Sequence, residues 1–124
     1  MWVFITWRST TAVISSVTYA GTGMTAGAQL TSGSIRGQSF RLVNPTTGAN
    51  NVVVTFDIAV TFKTGIAESL TGVDQTTPVG TEATGTGNSD TPTVNVSSAT
   101  NELVVDGAGV QLIVNAPTTM SPGT

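Results

Sequence analysis

The chain of 124 residues contains neither cysteine nor histidine. Without cysteine it has no disulfide, no thiol nucleophile and no thiolate ligand for zinc, and without histidine it has no imidazole base or imidazole metal ligand. These absences exclude the cysteine- and histidine-dependent catalytic centres and the usual zinc sites. We therefore expect no catalytic residue, no metal and no cofactor, and interpret the protein as a non-enzyme.

Charged residues are also scarce and make up only 9% of the chain. Four Lys or Arg stand against seven Asp or Glu, which gives a net charge of -3. A typical domain carries about 25% charged residues. The lack of a basic cluster argues against nucleic acid as a partner. Threonine makes up roughly a fifth of the chain, and its β-branched side chain favours sheet over helix. A threonine-rich, lysine-poor chain without disulfides is typical of prokaryotic surface or secreted proteins and of viral ones, so we expect an extracellular or cell-surface location.

Apolar residues alternate with polar ones in many places but never follow a helical period, so no substantial helix is expected. About seven or eight short strands separated by Gly- and Thr-rich turns predict an antiparallel β-sandwich of jelly-roll or immunoglobulin-like type. We assign residues 1–115 to one domain and residues 116–124 to a C-terminal tail.

The clearest alternation lies in VVVTFDIAVTF, residues 52–62, which predicts one long strand with a buried and a wet face. The residues predicted to enter the core are Val52, Val54, Phe56, Ile58, Val60 and Phe62. Residues 34–43 are expected to pair with this strand as an antiparallel hairpin. Further strands are predicted at residues 12–21, 66–70, 93–97, 102–106 and 110–115.

Five segments occur in an order that resembles a jelly-roll-like β-sandwich module repeated in large bacterial and archaeal secreted and cell-surface proteins. They are SVTYAG (16–21), PTTGANNVVVTF (45–56), TGVDQTTPVG (71–80), TPTVNVSSA (91–99) and NELVVD (101–106). The resemblance implies the fold and carries no catalytic signature. Such modules usually begin some tens of residues earlier, so the chain looks like a module that lacks part of its sheet. It is then either a fragment of a larger protein or a subunit whose absent strand comes from a neighbour.

The chain opens with MWVFITW, which is apolar on both faces of an extended strand. It is too short to span a bilayer and lacks the pattern of a signal peptide. One interpretation makes it an inner strand, with one face in the core and the other beneath a loop. In the other, residues 1–8 are exchanged into the sheet of a neighbouring subunit. The residues predicted to form that subunit interface are Trp2, Val3, Phe4, Ile5 and Trp7.

Strand exchange of this kind is head-to-tail and generates open-ended polymers. Our first functional hypothesis is therefore a structural subunit of an extracellular filament or surface assembly, with copies of the same chain as partners. The alternatives are a carbohydrate-binding or adhesive module of a larger secreted protein, and a viral coat or decoration protein. A sugar-stacking platform would draw on Trp2, Trp7 and Tyr19, although core packing of these rings is expected.

The remaining candidates for chemistry have simpler interpretations. The carboxylates are scattered, with Asp74 expected to cap a turn. The loop at Asn88, Ser89 and Asp90 offers a weak calcium-ligand pattern. Asn95 lies in the acceptor sequence NVS and is the predicted N-glycosylation site. The only lysine, Lys63, is expected to be a solvated residue at a strand end.

Overall fold

The computed structural model describes residues 1–111 and has, over that range, seven β-strands and no helix. The strands are β1 (Trp2–Arg8), β2 (Ile14–Tyr19), β3 (Thr22–Gly23), β4 (Thr25–Ser32), β5 (Ile35–Arg41), β6 (Val52–Phe56) and β7 (Lys63–Glu68). They form two antiparallel sheets with the strand orders β4-β5-β1-β7 and β3-β2-β6. The expected all-β antiparallel sandwich is confirmed. Within residues 1–111 there is also no helix long and apolar enough to cross a membrane.

The core lies between the two sheets and takes its side chains from β1, β2, β5 and β6 and from residues outside strands. Its fully buried members are Val3, Ile5, Trp7, Ala12, Val17, Phe40 and Val60, with Ile14, Met24, Val52, Val54 and Phe56 packed against them. Strand β1 supplies three of these residues, because side chains at every second position point to the same face. An apolar strand in the middle of one sheet therefore organises the whole interior.

The predicted eleven-residue strand at 52–62 ends at Phe56. Asp57 turns the chain, since its carboxylate oxygen Oδ1 accepts the N–H groups of Val13 and Ile58, at 2.9 and 2.8 Å. Val60 is still buried, but Ile58 and Phe62 are 51% and 65% exposed. Their prediction as core residues is wrong, because a period of two places residues on one face only while the backbone stays extended.

The predicted hairpin between residues 34–43 and 52–62 is also absent. Strand β5 pairs instead with β4 and β1, and β6 pairs with β2 in the other sheet. The connection at residues 42–51 therefore crosses from one sheet to the other. Within this connection Gly48 has a φ of 99°, a left-handed conformation that glycine adopts without strain.

The last third of the described chain has no strand beyond β7. The strand predicted at 66–70 overlaps β7, which begins three residues earlier. Residues 93–97 and 102–106 form no strand with a partner in residues 1–111, so these two strand predictions are wrong. Most of the strand predicted at 110–115, and the tail predicted at 116–124, lie outside the described residues.

Candidate functional site

Strand β1 has partners on both of its edges, β5 on one side and β7 on the other. Val3, Ile5 and Trp7 point into the core of their own chain, where each is at most 4% exposed. The indole N–H of Trp7 donates to the carbonyl oxygen of Ala12 at 2.9 Å. These three predicted interface residues are therefore core residues, and residues 1–8 are not an exchanged strand in this structure.

The other two predicted interface residues, Trp2 and Phe4, lie on the outer face of the same strand. Both are half-buried, and their rings stack with centroids 5.8 Å apart. The backbone of Gly107 lies directly on the Phe4 ring, so close that a Cβ at this position would overlap it. Gly109 lies in the same way on Thr6. The second apolar face of β1 thus lies beneath a loop, as in the inner-strand interpretation.

Two edge strands, β6 and β7, lie on the same side of the sandwich. Strands β3 and β4 are separated only by Met24, so these two form the opposite side. Each of β6 and β7 pairs on one edge only within residues 1–111. We call this side, made of Val52–Phe56, residues 57–62 and Lys63–Glu68, the open side.

The open side exposes large apolar side chains. Val53, Ile58 and Ile66 are 52%, 51% and 52% exposed. Beside them, Val52, Val54 and Phe56 are only half-buried although they face the core. Single exposed apolar residues are ordinary, but several of them next to two unpaired strand edges indicate an interaction surface.

A cavity of about 400 Å³ opens where the open side meets the end of β1. The backbone N–H of Arg8 donates to the carbonyl oxygen of Phe62 at 3.0 Å, and Trp7 pairs with Lys63 across the strands. Because directly opposite residues of an antiparallel pair share a face, Arg8 and Phe62 lie on the outer face of the sheet and Lys63 lies on the core face with Trp7. The polar and charged lining includes Thr6, Arg8, Thr61, Lys63, Thr64 and Gln111.

The carboxylates take structural positions. Asp57 ends β6, and Asp74 accepts the backbone N–H groups of Thr76 and Thr77, at 2.7 and 3.1 Å. These hydrogen bonds confirm the prediction that Asp74 caps a turn. They also stabilise the ionised carboxylate and therefore lower the pKa of Asp74 below its ordinary value. Among residues 1–111, no three Asp or Glu side chains are close enough together to hold a metal ion.

The aromatic platform considered from the sequence does not form. Trp7 and Tyr19 are 2% and 8% exposed, and the Tyr19 hydroxyl donates to the carbonyl oxygen of Gly48 at 3.1 Å. Asn95 is exposed, as a glycosylation acceptor must be, and its modification stays a prediction. The exposed aromatic residue beside polar and charged groups is instead Phe62, which alternation had assigned to the core.

The fold is a small β-sandwich with four edge strands within residues 1–111, and two of them, β6 and β7, form the open side. No protein family, curated protein or solved structure matches the chain.

Proposed function

We propose that the protein is a structural subunit of an extracellular filament or surface assembly, in which copies of the chain are joined by β-strand addition. The observation that carries the proposal is the open side, where β6 and β7 each leave one edge without a partner within residues 1–111. An unpaired edge presents a row of backbone N–H and C=O groups that another strand can pair with.

The β6 edge is the better acceptor of the two. Its sequence, VVVTF, has no charged residue and no proline, which are the usual devices that block edge-to-edge pairing. A strand added beside β6 would extend the three-stranded sheet and cover Val52, Val54 and Phe56, which are only half-buried. Burying apolar surface contributes about 25 cal/mol per Å², so this pairing gains energy from side chains as well as from the backbone.

The donor segment is proposed to be residues 93–97, in place of the residues 1–8 first expected from the sequence. TVNVS alternates, has no charge, and matches the five residues of β6 in length. Val94 and Val96 fall on one face and are 43% and 39% exposed. The segment has the pattern of a strand but pairs with none within its own described chain.

Donor and acceptor are different surfaces of the same chain. Such a heterologous contact leaves a free donor at one end and a free acceptor at the other, so it propagates unless the rotation closes a ring. The proposed product is therefore a filament. The carbohydrate-binding and viral-coat alternatives stay predictions.

Negative-stain electron microscopy and sedimentation of the purified protein test the proposal. We expect polymers from the unmodified chain, and monomers from both Val53→Lys at the acceptor edge and Val94→Lys/Val96→Lys in the donor segment. Charged residues on an edge strand oppose the addition of a further strand, and lysines at 94 and 96 would also place charge against the apolar face that the donor covers. Mixing the two variants should give heterodimers, because each keeps one intact surface.

Val43→Lys is the matched control, since Val43 is 40% exposed and lies outside both surfaces. It should polymerise like the unmodified chain. A monodisperse monomer from the unmodified protein at high concentration would contradict the proposal, as would polymers from the Val53→Lys variant.

A further inference from the structure

Residues 80–102 fold back on themselves within the part of the described chain that has no strands. A Cβ on Gly80 would lie 3.6 Å from Oε1 of Glu102, and a Cβ on Gly85 would lie 3.9 Å from both Cβ and Cγ2 of Val94. The first half of this segment therefore runs beside its second half at two levels. We call residues 80–102 the donor loop, because its second half contains residues 93–97, the proposed donor segment.

Two turns bound the donor segment inside this loop. Before it, the backbone N–H of Thr91 donates to the hydroxyl oxygen of Ser89 at 3.0 Å. After it, Oε2 of Glu102 accepts the backbone N–H of Ala99 at 2.6 Å, and the N–H of Glu102 donates to the carbonyl oxygen of Ala99 at 3.2 Å. Residues 93–97 thus lie between two turns that side chains of the loop itself stabilise.

The donor loop also contacts the sandwich. Arg41, the last residue of β5, forms an ion pair with Glu82 at 2.9 Å. Exposed ion pairs contribute little stability, so this contact positions the first half of the loop without fixing it.

Val94 is the residue for which the contact inside the loop and the proposed filament contact compete. Its Cβ and Cγ2 lie against the backbone of Gly85, yet 43% of the residue stays exposed. In the filament contact the same side chain, together with Val96, would cover the half-buried apolar residues of β6. One side chain cannot pack on both surfaces at once, so the two contacts exclude each other.

We propose that the donor loop stores the donor segment in the free subunit, and that Val94 must leave Gly85 before strand addition. This inference rests on the proposed filament contact and concerns its regulation. Only the open fraction of the molecules can donate, so the apparent affinity for the β6 edge of a neighbour falls in proportion to that fraction. Because Gly85 has no side chain, Val94 is only partly covered, and a loop with so little burial opens readily.

A designed disulfide between residues 85 and 94 tests whether the loop is closed. The chain has no cysteine of its own, and the distance of 3.9 Å lies within the Cβ–Cβ range of about 3.5–4.5 Å that disulfides require. In a Val53→Lys background, where the acceptor edge is blocked, we expect Gly85→Cys/Val94→Cys to form an intramolecular disulfide on oxidation with diamide. Alkylation of the remaining thiols followed by mass spectrometry measures the rate.

Gly87→Cys/Val94→Cys in the same background is the matched control. No atom lies within 4 Å of a Cβ at residue 87, so its disulfide should form about tenfold more slowly or not at all.

The same cysteine pairs in a chain that keeps Val53 test what closure does to assembly. We expect oxidised Gly85→Cys/Val94→Cys to stay monomeric in sedimentation and electron microscopy at concentrations about tenfold above those at which the reduced protein polymerises. Reduction with dithiothreitol should restore the polymers, because cysteine is a small apolar residue that can replace Val94 in the contact. The Gly87→Cys/Val94→Cys protein should polymerise under both conditions.

The possible results separate this inference from the proposed function. Equal oxidation rates of the two cysteine pairs would overturn the inference and leave the filament contact intact, as would polymers that form from oxidised Gly85→Cys/Val94→Cys as readily as from the reduced protein. Absence of polymers from every form of the protein, the unmodified chain included, would overturn the filament contact and with it this inference.

Discussion

Trp7 connects the two sheets more directly than any other side chain of β1. It is 2% exposed, it meets Phe56 edge to face at 5.6 Å, and its N–H donates to Ala12 in the loop that leads to β2. Its ring therefore contacts one strand of each sheet and the connection between them. Such a residue contributes both buried area and a fixed orientation.

Truncation of this side chain tests its role. Trp7→Ala is expected to lower the free energy of unfolding by about 3–5 kcal/mol, because it leaves a large cavity in a small core. Trp7→Phe should cost less, about 1–3 kcal/mol, since the carbonyl oxygen of Ala12 keeps its hydrogen bond from Arg36 at 3.0 Å. Urea denaturation followed by circular dichroism measures both. A loss below about 1 kcal/mol for the alanine variant would contradict this packing.

At the level of single residues, burial is predictable only as far as the strand continues. Val52, Val54 and Phe56 pack against the core, and Ile58, two residues further, does not. The difference arises at Asp57, whose carboxylate accepts the backbone N–H of Val13 in the connection that leads to β2. That bond depends on the folded position of residue 13 and leaves no local signal in the sequence.

Among the elements, the loop over the outer face of β1 depends on two glycines. Residues 107–109 read Gly-Ala-Gly, and the two glycines lie on Phe4 and Thr6. Any side chain at residue 107 would push the loop away from the Phe4 ring, which also stacks with the Trp2 ring. The apolar outer face of β1 is therefore covered only while residue 107 has no Cβ.

Gly107→Ala is expected to destabilise the docked loop by about 1–3 kcal/mol through steric overlap, with little effect on the sandwich itself. Acrylamide quenching of the fluorescence of Trp2, whose ring stacks on Phe4, should increase, while hydrogen–deuterium exchange of β2 and β5 stays constant. Gly87→Ala is the matched control, since no atom lies within 4 Å of a Cβ at that position. Equal quenching in the two variants would show that residue 107 does not dock on Phe4.

Strand β4 shows what sequence patterns overlook. Its eight residues, TAGAQLTS, are almost all exposed and include only one large apolar residue, Leu30. The two residues between β4 and β5, Gly33 and Ser34, are a recognised hairpin signal, and Gly33 has a φ of 58°. This hairpin turn is the sequence feature that indicates β4, because an edge strand needs no apolar face and so gives no hydrophobic pattern.

At the scale of the molecule, all strands and all fully buried residues of the described range 1–111 lie before residue 69. Residues 69–111 contain one backbone hydrogen bond that does not belong to a strand, from Glu102 to Ala99. Segments with few backbone hydrogen bonds and little burial open at low free-energy cost. The described residues therefore divide into a strand-paired sandwich, residues 1–68, and a segment without strands, residues 69–111.

Limited proteolysis with a glutamate-specific protease tests this division. Cleavage is expected first after Glu82 and Glu102, and later after Glu68, which lies at the end of β7 and is half-buried. The fragment that contains residues 1–68 should keep its β-sheet circular dichroism. If polymerisation protects Glu102, that protection should disappear in the Val53→Lys variant. Cleavage after Glu68 at the same rate as after Glu82 would contradict the division.

Local chemistry alone determined that this protein is all-β and that its apolar opening is a strand covered on both faces. Alternation and β-branched composition act over a few residues, so they are readable without a fold. The partners of each strand, the exposure of Phe62 and its contact with Arg8 were decided only by the tertiary structure. The contacts of β1 with β7 and of Arg8 with Phe62 join residues more than fifty positions apart, and their free energy depends on which strands close together.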